Sequence, residues 1–118
     1  MKAPSELRFG GRIWKVEFVP QLIENKKELL GKCEFTSSTI RVLRTQSLDS
    51  LKSTLLHECI HARADAQDWD AKENTVIKIE KVIYAMLKDN PKLFRWLLSP
   101  SMDCPVCGKP AGTCDCHE

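Results

Sequence analysis

Residues 12–20 read Arg-Ile-Trp-Lys-Val-Glu-Phe-Val-Pro, alternating apolar and polar through Ile13, Lys15, Glu17 and their neighbours. That period of two predicts a strand. Residues 21–30 read as a short helix or a loop, closed by Gly31. Residues 33–35 and 39–43 read as two further short strands across a Thr-Ser-Ser turn, so a small, mostly antiparallel sheet is expected. The period then changes. No glycine or proline occurs between positions 50 and 69, and Leu48, Leu51, Leu55, Cys59 and Ala62 recur at spacings of three and four, predicting an amphipathic helix. A second helix is predicted over 72–88, with Val76, Ile79, Ile83 and Leu87 as its apolar stripe. Asn90-Pro91 breaks it and opens a short third helix over 91–98.

The expected fold class is therefore α+β. A small sheet of about three strands packs on the first helix and on a second, glutamate-bearing helix within residues 1–99. Ser99-Pro100-Ser101 then leads into a cysteine-rich tail over residues 100–118.

Composition narrows the function classes. The 118 residues are 42% hydrophobic and 29% charged, enough for one modest core. A net charge of +2 gives no electrostatic reason to expect nucleic acid or a membrane surface as partner. Apolar runs such as Trp96-Leu97-Leu98 are far short of a membrane span. The first residues, Met-Lys-Ala-Pro-Ser-Glu, lead into no hydrophobic export segment, so cytoplasmic residence with reduced thiols is expected. Trp14, Trp69 and Trp96 read as packing residues.

The chemistry concentrates at His57-Glu58-Cys59-Ile60-His61. Histidines four apart project from one side of a helix, so both imidazoles can hold one Zn²⁺. This His-Glu-x-x-His pattern is a zinc metalloprotease motif, and its glutamate, Glu58, stands where a general base for water attack is needed. Cys59 points about 100° or more away from either histidine and reads as a core residue.

Catalytic zinc usually takes three protein ligands and leaves a position open. His117 is too distant in the chain to be an obvious third, which leaves Asp65, Asp68, Asp70, Glu73 and Glu80. On the second helix, Glu80 falls about 40° and Glu73 about 60° from Val76, both on the inward shoulder. A carboxylate there is costly unless something pairs it. Spacing does not separate Glu73 from Glu80. Asp65, one turn beyond His61, could instead orient an imidazole.

The stretch Thr54-Leu-Leu-His-Glu-Cys-Ile-His-Ala62 resembles the active-site helix of compact gluzincin-like metallopeptidases, including the ImmA/IrrE family and small phage-encoded zincins. The later Glu73-x-x-Val76-x-x-Ile79-x-x-x-Ile83-Tyr84 resembles their following helix. The resemblance covers roughly residues 12–98. It implies a short sheet, an active-site helix, peptide-bond hydrolysis and Glu73 as the third zinc ligand. The charge of Glu80 departs from that pattern, where the position is more often small or apolar. By fold analogy, the strand at 39–43 is expected nearest the active helix, offering an edge to an extended peptide.

The tail carries a second metal signal. Cys104-Pro-Val-Cys107-Gly and Cys114-Asp-Cys116 supply two thiolate pairs, the set of a closed structural zinc site, with His117 as an alternative fourth ligand. Such a tail has no core, so metal binding is what would order it. It is also similar to SprT-like proteins, but their downstream histidine ligand is missing here. The expectation is thus a zinc-dependent metallopeptidase with one catalytic and one structural Zn²⁺, acting on a peptide or protein substrate. Little room exists for a deep cleft, which leaves a role for a second copy or a protein partner. The alternative is a non-catalytic, zinc-stabilised adaptor or regulator that uses the zincin scaffold, phage-encoded or otherwise, to hold a partner.

Overall fold

Two glycines start the sheet. Gly10 and Gly11 hold φ angles of 59° and 82°, a region open to residues without a Cβ, and so turn β1 (Glu6–Phe9) tightly into β2 (Arg12–Val19). The computed structural model describes residues 2–100, 103–110 and 112–113. After β2, a two-stranded ribbon of β3 (Ile23–Glu24) and β4 (Lys27–Glu28) turns through Asn25 and Lys26, which hold φ angles of 52° and 64°. This ribbon replaces the helix or loop expected over 21–30. The left-handed turn there is carried by an Asn-Lys pair, a weaker signal than the usual glycine.

The main sheet follows the order β1-β2-β6-β5, with β5 at Gly31–Glu34 and β6 at Thr39–Leu43. It has four strands rather than about three, and it is mixed. β6 pairs in parallel with β2 and antiparallel with β5. Residues 20–38 supply the long connection that parallel pairing needs. β6 is thus interior, with Ile40 and Val42 fully buried, and has no free edge. The strand at 39–43 does pack on the first helix, but the outer edge there belongs to β5, which corrects the edge expected at 39–43.

Helix α1 (Leu48–Ala66) begins where the Ser47 hydroxyl accepts the Ser50 N–H at 3.2 Å. It ends three residues earlier than its period suggested. Asp68 takes φ 53°, its N–H bonds the Asp65 carbonyl at 3.1 Å, and the Trp69 N–H bonds Ala64 at 2.9 Å. That is a Schellman closure with aspartate at the left-handed position. The core lies between the sheet and α1. Trp14, Ile40, Val42 and Ala62 form its centre, flanked by Leu51, Leu55 and Cys59, while Leu48 stays exposed. Trp14 meets Phe35 edge-on at 5.7 Å; Trp69 and Trp96 are exposed.

Helix α2 (Glu73–Asp89) starts with the Val76 N–H bonded to the Lys72 carbonyl at 3.0 Å, and Val76 is its fully buried residue. By internal packing the chain divides into Met1–Met86 and Leu87–Glu118, the division falling inside α2. The second unit contains α3 (Pro91–Leu97) and the start of the tail. Among the described residues, no helix is long and apolar enough to cross a membrane.

Candidate metal centre

α1 places His57 and His61 on one face, with their ring centroids 5.0 Å apart. α2 runs back along that face. The Ser53 hydroxyl donates to the Glu80 carboxylate, and the Tyr84 hydroxyl donates to Asp49 at 3.1 Å. The same register puts Glu73 opposite the histidines. Its Oε1 lies 2.7 Å from His57 Nε2, and its Oε2 lies 3.0 Å from His61 Nε2. One carboxylate therefore spans both imidazoles. Glu73 is nonetheless 61% exposed at its side chain, so it is less inward than its helical angle suggested. Its place in the first turn of α2 favours a negative charge there.

Glu80 sits two turns further along, 8% exposed, and accepts from Ser53 instead of facing the histidines. Asp65 does not orient an imidazole. It lies 3.9 Å from the Arg12 guanidinium. Asp68 and Asp70 line a separate hollow of about 410 Å³ on the His61 side.

Glu58 is 6% exposed, next to His57, and one of its carboxylate oxygens lies within 4.8 Å of a ring nitrogen of each histidine. Burial first, then the negative charge of Glu73, push its carboxyl up to about 7. A divalent cation among these side chains would offset both effects. The donor set, two imidazole nitrogens and one carboxylate with a second carboxylate at hand, fits the His₂Glu arrangement of catalytic zinc.

β5 reaches this centre through two contacts that its short pattern did not advertise. A Cβ on Gly31 would lie 2.6 Å from Thr54 Cγ2 and 3.1 Å from Glu58 Cγ, so only glycine lets the strand come this close. Two residues on, the Cys33 thiol donates to the Glu58 carbonyl at 3.6 Å. Gly31, followed by a short alternating segment, was the available signal. Beside them, a cavity of about 590 Å³ opens between the 28–31 segment, α1 and α2, reaching His57, Glu58, Glu73 and Glu80. Ser53 was also missed, though a residue four before His57 shares its helical face.

Cys59 packs against the core, as expected, with its thiol pushed up to about 11 by burial and then by Glu58. In the tail, the Val106 N–H points at Cys104 Sγ at 3.4 Å, and the Gly108 N–H bonds the Cys104 carbonyl at 2.9 Å. Gly108 holds φ 75°, the conformation that a Cys-x-x-Cys-Gly turn needs. Cys107 is exposed at the far end of this turn. Cys114, Cys116 and His117 lie outside the described residues. Compared with protein-family models, curated proteins and solved structures, the chain finds no match.

Proposed function

We propose that this chain is a zinc-dependent metallopeptidase of the gluzincin-like kind, with His57, His61 and Glu73 as zinc ligands and Glu58 as general base. The observation that carries the reading is the single Glu73 carboxylate lying within 3.0 Å of both imidazole nitrogens, beside a buried glutamate. Bound zinc supplies Lewis acidity, polarising a peptide carbonyl and acidifying water. Glu58 takes a proton from the attacking water and returns it to the leaving nitrogen as the C–N bond breaks. Burial and the Glu73 charge raise its carboxyl pKa, and a bound cation would lower it again toward the ionised form that a general base needs. The free edge of β5 and the cavity beside it offer an extended peptide a strand to pair with.

The tail is proposed to hold a structural zinc through Cys104, Cys107, Cys114 and Cys116, with His117 as alternative fourth ligand. The turn that aims the Val106 N–H at Cys104 sulfur supports this, because such donors stabilise a thiolate.

The test is digestion of a proteome-derived peptide library by the zinc-loaded full chain, beside Glu58→Gln. Cleavage that a chelator stops and Glu58→Gln abolishes, with zinc retained in the variant, is the expected result. A variant that cleaves as well as the parent overturns the general-base role. Zinc retention with no cleavage by the parent turns the reading toward the non-catalytic adaptor.

A further inference from the structure

Glu80 is a buried carboxylate with one neutral partner. It retains 8% exposure, accepts the Ser53 hydroxyl, and forms no ion pair within 4.0 Å among the described residues. The single hydroxyl satisfies one of the carboxylate's roughly four acceptor sites, which leaves acceptor capacity for a ligand. Its remaining side faces the cavity of about 590 Å³ that also reaches His57 and Glu58. Leu29, Leu30 and Ile77 line the same space. The cavity therefore combines an apolar side with carboxylates from Glu28, Glu58, Glu73 and Glu80, of which Glu58 and Glu80 are the buried ones.

From this we infer that the cavity is a side-chain subsite for lysine or arginine next to the scissile bond, with Glu80 as the residue that selects the positive charge. This rests on the proposed metal centre. The spacing along α2 is of the right size. From Glu73 to Glu80 α2 rises about 10 Å. That matches an extended lysine or arginine side chain, counted from its own carbonyl, plus an ion-pair contact of about 3 Å. The apolar walls suit the aliphatic stem, and the carboxylate suits the head group. Glu73 is not the partner of this cation, since its two carboxylate oxygens lie against His57 and His61 at 2.7 and 3.0 Å. A neutral chain of similar length would make the same apolar contacts and leave the Glu80 carboxylate with only the Ser53 hydroxyl, so the charge of the head group is what the site discriminates.

Binding of two zinc-directed probes, lysine hydroxamate and norleucine hydroxamate, tests this without turnover. The probes differ by the ammonium group. Calorimetry on the zinc-loaded full chain should give the lysine probe about tenfold or greater preference, worth about 1.4 kcal/mol. In Glu80→Gln the ratio should fall to about one. In Ser53→Ala, which keeps the carboxylate and removes its neutral partner, the preference should persist or rise. Equal affinities in the parent overturn the subsite while leaving the metal centre standing, because both probes still bind. A preference that survives Glu80→Gln, or disappears in Ser53→Ala, overturns the role of Glu80. If neither probe binds, the metal centre itself fails and the subsite falls with it.

Discussion

His57 and Glu73 meet across two helices, imidazole Nε2 to carboxylate Oε1, at 2.7 Å. The contact is one rung of a ladder in which α2 runs back along α1, with Asp49 against Tyr84 and Ser53 against Glu80 before the histidines are reached. The rungs divide the two inward glutamates between different tasks. Glu73 closes on the histidine pair, and Glu80 is held a hydroxyl's length from α1.

This division makes the two glutamates separable. Glu73→Gln should weaken zinc binding at the histidine site by about 100-fold, near 3 kcal/mol, because it removes an anionic ligand. Glu80→Gln should change zinc affinity by less than about threefold. Competition with a chromophoric chelator measures both. A large loss in Glu80→Gln with none in Glu73→Gln would exchange their roles.

Gly31→Ala should damage both stability and the site. The new Cβ would press on Thr54 Cγ2 at 2.6 Å, and the Thr54 hydroxyl, donating to Gln46 Oε1 at 3.0 Å, ties that side chain in place. Overpacking of this kind costs about 1–3 kcal/mol, visible as a lower urea midpoint. The same Cβ meets Glu58 at 3.1 Å, so turnover should fall by about tenfold or more even where the variant is folded.

The Cys33 thiol predicts an alkaline loss of stability. Burial, followed by the charges of Glu58, Cys59 and Asp65, pushes it from 9.0 up to about 12 in the folded chain. A thiol that is harder to ionise when folded contributes stability in full below pH 9, and that contribution is lost as pH rises from 9 toward 12. Urea unfolding of the parent should therefore weaken more between about pH 8 and 10.5 than unfolding of Cys33→Ala. Equal slopes would mean that the thiol environment is more open than its contacts indicate. At pH 8 the protonated thiol should also alkylate slowly.

The tail should lose its metal independently of the histidine site. Cys104→Ser or Cys107→Ser should remove the second zinc from elemental analysis of tag-free protein and leave the first. Cys104 carries the Val106 N–H contact, so its replacement should be the more disruptive for the turn. Loss of both metals together would mean that the two centres are linked.

Much of this molecule is legible along the chain. The three- and four-residue spacing of Leu51, Leu55, Cys59 and Ala62 determines a helix, and hence that His57 and His61 share a face, because helical geometry is set within a few residues. Cys104, Cys107 and Gly108 likewise determine a tight turn, and the two-residue alternation around Trp14 determines a strand. Relations between distant segments were decided only by the tertiary structure. Alternation cannot tell a parallel neighbour from an antiparallel one, so the pairing of β2 with β6, and the edge position of β5, had to come from the path of residues 20–38. Glu73 and Glu80 project at nearly the same angle from α2. Which one meets the histidines depends on how far α2 slides along α1, a register set by packing at Val76 and by the Ser53 and Asp49 contacts.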